Sequence, residues 1–119
     1  MHPELTELRS HQDVDCLLEE SATRPVLLLK HSHSCGTSAQ ALDELLSHID
    51  ERAADDVRFA LVTVQTHRSV SSAIATRLGV RHETPQALLI RHGAVVWQAS
   101  HFRVTAQAIA AAIARGVSG

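Results

Sequence analysis

The chain has 119 residues and a mass of 12.9 kDa, with 45% hydrophobic and 20% charged residues; this fits one folded domain over 1–119 and excludes a disordered chain. A formal net charge of −2 and a short aromatic list (Phe59, Trp97, Phe102) leave little to track a phosphate backbone or to stack bases, so nucleic acid is not an expected partner. Two cysteines, Cys16 and Cys35, cannot make the disulfide scaffold of a small secreted protein, and nine histidines call for an explanation.

The N-terminus lacks a basic region, a long apolar stretch and a cleavage site, and no apolar run approaches membrane-spanning length. A cytoplasmic chain with reduced thiols and no membrane partner is expected. Leu5–Leu8 reads as a short strand. Ser10 reads as the N-cap of a helix to about Ala22, with Val14, Leu17, Leu18 and Ser21 on one face and Cys16 roughly opposite. Arg24-Pro25 stops that helix, and Val26–Lys30 follows as a buried strand. The polar stretch His31–Ser34 leads to Cys35. A second helix runs from Gly36 to about Arg52, with Ala39, Leu42, Leu45, Leu46 and Ile49 as its apolar stripe. Val57–Val64 is a strand. Ser69 caps a third helix with Ala73, Ile74, Arg77 and Leu78 in register, and Gly79 ends it in a left-handed conformation. Thr84-Pro85 leads into the strand Gln86–Ile90, His92-Gly93 signals a tight turn, and Ala94–Ala99 is the partner strand. Thr105 begins a last helix with Ala108, Ile109, Ala112 and Ile113 apolar. The order β-α-β-α-β-α-β-β-α makes an α/β domain, a mixed sheet of four to five strands with helices on both faces. It resembles the arrangement of thioredoxin-like proteins.

Cys35 is the candidate nucleophile. It stands where a strand turns into a helix, so unpaired N–H groups and the positive end of the helix dipole favour the thiolate. Lys30, His31 and His33 would push the same way in cationic form. Gly36 leaves the sulfur open. The residue three after Cys35 is Ser38, so a disulfide within this motif is impossible; its hydroxyl can donate to the thiolate instead. Chemistry must then pass through a mixed disulfide with another molecule. Cys16 lies on a helix expected to cover the other face of the sheet, too far for a direct bridge, and reads as a bystander. His31-x-His33-x-Cys35 does not match the spacing of structural zinc sites, and no metal is expected. Trp97 reads as core. His2, His11, His48, His67 and His92 read as surface residues, whereas His82 and His101 flank the Pro85 region.

Three segments resemble the monothiol bacilliredoxins, thioredoxin-like proteins of the bacillithiol system. They are Lys30-His31-Ser32-His33-Ser34-Cys35-Gly36-Thr37-Ser38, Gly79-Val80-Arg81-His82-Glu83-Thr84-Pro85-Gln86, and Val96 to Thr105. Some members carry proline and isoleucine where this chain has Gly36 and Thr37, and tryptophan is common where Phe102 stands. The resemblance implies that Cys35 attacks a protein–bacillithiol mixed disulfide and takes the small thiol onto itself, restoring the client cysteine. Gly36, Thr37, Ser38, His31 and His33 would support the nucleophile. Pro85 would form a cis-proline loop, with Thr84 and His82 contacting substrate. The low-molecular-weight thiol, bacillithiol or an equivalent, would be a co-substrate with no bound cofactor, and S-thiolated proteins would be the partners. The competing reading is a non-catalytic thioredoxin-fold module that holds a metal or a bridged iron–sulfur cluster through Cys35.

Overall fold

The structure, a computed structural model, describes residues 2–118. In chain order it contains β1 (Leu5–Glu7), α1 (His11–Glu20), β2 (Val26–His31), α2 (Gly36–Glu51), β3 (Arg58–Thr63), α3 (Arg68–Leu78), β4 (Gln86–Arg91), β5 (Ala94–Ser100), a short 3-10 turn (His101–Arg103) and α4 (Ala106–Ser118). The strands form one five-stranded sheet in the order β1-β3-β2-β4-β5. β1, β3 and β2 run parallel, while β4 and β5 are antiparallel additions. Both the element order and the mixed sheet agree with the sequence reading.

β2 lies at the centre, and all six of its residues are buried. Its near-continuous apolar run suits a strand covered on both faces. Alternation sends Leu27 and Leu29 into one core with Leu45 and Ile49 of α2 and Ile109 and Ile113 of α4. Val26 and Leu28 enter a second core with Val14 and Leu17 of α1 and Val70 and Ile74 of α3. The first and second helices therefore cover opposite faces, as expected. By the same alternation Lys30 falls on the α1/α3 face and His31 on the α2/α4 face. Among the described residues no helix is long and apolar enough to cross a membrane.

Three local expectations need correction. Ala39 is exposed, and Ala41 takes its place in the buried ridge with Leu45 and Ile49. At about 100° per residue Ala39 sits well off that ridge, and Leu42 and Leu46 flank it half-buried. Ser69 is not the cap of α3: the helix begins two residues earlier, with His67 at the N-cap, and the Ser69 hydroxyl pairs with His11 Nε2 at 2.8 Å. His48 is not a surface residue. It is buried edge-on against Phe59, with ring centroids 5.8 Å apart. Burial, and then the charge of Arg52, hold its imidazole below the ordinary value.

Other signals act as read. Ser10 Oγ accepts the Asp13 N–H at 3.1 Å, and the Asp13 carboxylate accepts the Arg9 N–H at 2.8 Å. Gly79 closes α3 at φ 64°. Thr105 Oγ accepts the Ala108 N–H at 3.1 Å at the start of α4. The turn His92-Gly93 has φ of 53° and 75° and is pinned to the end of α1. The His92 N–H donates to Ser21 O at 2.8 Å, and the Gly93 N–H donates to Ser21 Oγ at 2.9 Å. Ser21→Ala should therefore lower unfolding stability by about 1–2 kcal/mol, because it strips a partly buried N–H of its acceptor. Urea denaturation measures this, and an unchanged midpoint would show the turn to be held by other contacts.

Candidate active site

The site is assembled where β2 and β4 meet. Antiparallel pairing places Lys30 opposite Gln86, so the end of β2 lies beside the start of β4. The loop from Ser32 to Cys35 leaves one strand there and the loop ending in Thr84-Pro85 enters the other. The Thr84–Pro85 peptide is cis. The His101 N–H donates to Pro85 O at 3.0 Å, so the 3-10 turn after β5 braces this loop from the far side. Thr84 itself has no main-chain partner among the described residues, which leaves its N–H and C=O available.

Cys35 is the N-cap residue of α2, with extended backbone at φ −116° and ψ 121°, and the residue is partly exposed. The sulfur closes no capping hydrogen bond. The main-chain N–H of Ser38 does most to hold this thiol below its ordinary value, followed by that of Thr37; partial desolvation opposes them, and the Thr37 hydroxyl adds a smaller favourable contribution. These are fixed dipoles at a helix N-terminus. Gly36 is exposed, and a Cβ there would meet no protein atom within 4 Å.

The expected hydroxyl bond from Ser38 to the sulfur is not found. Ser38 is fully buried, and its Oγ lies 2.8 Å from His31 Nδ1 and accepts the Ser32 N–H at 2.9 Å. It fastens the loop, and it reaches Cys35 only through its own main chain. The surroundings of His31 also oppose the expected cationic support. His31 is buried, and burial, then the neighbouring His33, keep its imidazole below the ordinary value, which disfavours the cation. The His31 and His33 rings meet edge-on at 5.7 Å, with His33 exposed. Among the described residues no group of three or more His, Cys, Asp or Glu side chains could hold a metal ion.

Two residues take roles that are not evident from the sequence. Gln65, in the loop after β3, accepts the His33 N–H at 3.1 Å and donates to Ser34 Oγ at 3.1 Å and to Ser32 Oγ, bracing the loop before Cys35. No residue signal marks it; only the parallel pairing of β2 with β3 brings it there. The second is Lys30, whose side chain has 0% relative exposure. Its Nζ lies 2.6 Å from His82 Nδ1, and burial pushes its pKa down from 10.5 to about 8. Burial, then the charge of Lys30, also hold His82 below the ordinary imidazole value. His101 faces Glu83 at 3.7 Å. Cys16 is exposed on α1 and lines a small recess with Leu17 and Arg58, on the face away from α2. Trp97 packs half-buried on the α2/α4 core. On the β3 side of the site a cleft of about 620 Å³ opens beside His31 and His33, with Leu5, Leu42, Leu46 and Leu61 among its lining residues.

Residues 6–109 match the family described as monothiol bacilliredoxin BrxC. The chain belongs to the monothiol bacilliredoxin family. It is also similar to a solved structure described as a proposed oxidoreductase with a thioredoxin fold, at 32% identity and TM-score 0.81, over 92% of this chain and 93% of that one. Thioredoxins give the same fold at lower identity. That of Fasciola hepatica has 18% identity and TM-score 0.74, covering 92% of this chain and 97% of its own. That of Malassezia sympodialis has 19% identity and TM-score 0.73, covering 93% and 89%. A redox role on a thioredoxin-like fold is thereby established, and the thiol at the start of α2 in this bacilliredoxin is the group to test.

Two predictions concern this geometry. Thr37→Val removes the hydroxyl but keeps the N–H, so alkylation of Cys35 at pH 7 should slow by roughly two- to fivefold, with the wild-type thiol ionising below the free-cysteine value. An iodoacetamide rate–pH profile measures both. For Lys30, the unfolded chain still holds its proton between pH about 8 and 10.5 while the folded chain has released it. Stability relative to Lys30→Met should therefore rise with pH across that window, by an amount on the order of 2 kcal/mol. Parallel urea titrations at pH 7 and pH 10 should show Lys30→Met the more stable protein at pH 7 and the gap closing at pH 10.

Proposed function

We propose that this bacilliredoxin is a monothiol thiol–disulfide oxidoreductase that removes a low-molecular-weight thiol, bacillithiol or an equivalent, from S-thiolated proteins. The observation that carries the reading is Cys35 at the N-terminus of α2, favoured as thiolate by the Ser38 and Thr37 N–H groups, with Ser38 where a second motif cysteine would be needed for internal release.

The Cys35 thiolate attacks the small-thiol sulfur of a protein mixed disulfide. That S–S bond breaks as the new one forms, and the client sulfur leaves as a thiolate that takes a proton from water. A second molecule of the small thiol, as thiolate, then attacks the adduct on Cys35. This yields the symmetrical small-thiol disulfide and returns the Cys35 thiolate, so each exchange conserves electrons. Cys16 takes no part, because its helix packs on the other face of the sheet. The free N–H and C=O of Thr84 beside cis-Pro85 can pair with an extended client segment as a strand would. The cleft beside His31 and His33, which precede Cys35 in the same loop, has the volume of a small-ligand site and offers room for the body of the small thiol. In this reading the small thiol is a co-substrate, the protein carries no resident cofactor, and it works in the cytoplasm on S-thiolated client proteins.

The test is transfer from a model protein carrying a bacillithiol mixed disulfide. Wild type should gain one small thiol at Cys35 by mass spectrometry and release the client thiol. Cys16→Ser should do the same, and Cys35→Ser should lose transfer by more than about 100-fold. Full activity in Cys35→Ser would overturn the mechanism.

A further inference from the structure

Lys30 is fully buried, and among the described residues no carboxylate faces it. Its face of the sheet presents Val62, Leu28 and Leu88, and the buried residues of α3 are Val70, Ser71 and Ile74, all uncharged. The loop before β4 brings Arg81, His82 and Glu83. Arg81 is exposed and gives only its carbonyl, to Gln86 Nε2, and Glu83 lies 3.7 Å from His101. Among the described residues the sole partner of the Lys30 amine is thus His82 Nδ1 at 2.6 Å.

An ammonium donates and cannot accept, so Nδ1 must be the acceptor and the single proton of a neutral ring must sit on Nε2. That nitrogen has no partner among the described residues, and His82 is exposed two residues before Thr84. We propose that Lys30 is a positioning residue: from inside the core it fixes the His82 tautomer, so that Nε2–H donates to an uncharged oxygen acceptor, an amide carbonyl or a hydroxyl, of the disulfide substrate held at the Pro85 loop. Burial and the adjacent Lys30 charge both disfavour the imidazolium, which makes the donor neutral and suits an uncharged acceptor. Above pH about 8 the lysine becomes an amine with a lone pair, Nδ1–H becomes admissible, and the constraint relaxes.

The inference rests on the exchange reaction proposed above, so its test has one readout independent of that reaction. Nitrogen-15 NMR of the His82 ring in wild type at pH 7 should show protonated Nε2 and bare Nδ1, and Lys30→Met should show a tautomer mixture. A wild-type ring protonated on Nδ1 would overturn the inference whatever the enzyme does. In steady-state transfer from a bacillithiolated model protein, Lys30→Met and His82→Leu should each raise KM by roughly three- to tenfold with kcat little changed, and His82→Gln, which keeps an N–H donor, should recover most of it. Repeating this with the same client carrying cysteamine, which has no oxygen, locates the acceptor. An effect lost with cysteamine places it on the small thiol, and an effect kept places it on the client. An unchanged KM in both Lys30→Met and His82→Leu, or a fall in kcat alone, would overturn the inference, whereas failure of wild type to accept any disulfide would instead sink the exchange reading.

Discussion

The antiparallel pairing of β2 with β4, Lys30 opposite Gln86, is the constraint on which the site depends. It brings two loops distant in sequence to one end of the sheet. One carries Cys35 into α2 and the other carries the cis-proline. Both strands are buried along nearly their whole length, so a register slip of one residue would exchange the two cores and is strongly disfavoured. The precision of the site is therefore inherited from the packing of the sheet rather than from the loops. Each loop has its own braces: Ser38 and, through the pairing of β2 with β3, Gln65 on one, and His101 on the other.

The electrostatics of the site follow from dipoles rather than from charges. Two helical N–H groups act on Cys35, while the cations nearby in sequence are arranged otherwise. His31 is buried, which disfavours its cation, and its ring is occupied by Ser38. Lys30, five residues before the cysteine, points to the opposite face of the sheet, where it meets the cis-proline loop through His82. A fixed dipole needs no titration and no desolvated counter-charge, so its pull on the thiolate does not itself change with pH and no ion pair has to be broken when a mixed disulfide forms.

Much of the frame was legible in the sequence. Helical and strand periodicities, the caps at Ser10 and Thr105, the stop at Gly79 and the turn at His92-Gly93 are local signals, and each marks a real boundary. The placements that failed did so for lack of non-local information. Ala39 has the residue type of a core position but the wrong angle about the helix that α2 turns toward the sheet. His48 is polar by type, yet lies on the ridge that meets Phe59. Ser69 has the chemistry of a cap, but its hydroxyl is claimed by His11 from another helix.

The sequence by itself determined the element order, the position of Cys35 at a helix start, the absence of a second cysteine in its motif and the resemblance to the monothiol bacilliredoxins, because each is carried by contiguous residues. Only the tertiary structure decided which way the polar side chains around that cysteine turn. Ser38 bonds inward to His31 and Ser32, Gln65 arrives from the loop after the neighbouring strand, and Lys30 is sealed in the second core against His82. The physical reason is the period of the β-strand: adjacent residues of β2 face opposite sides of the sheet, so Lys30 and His31, neighbours in the chain, enter different cores and take different partners.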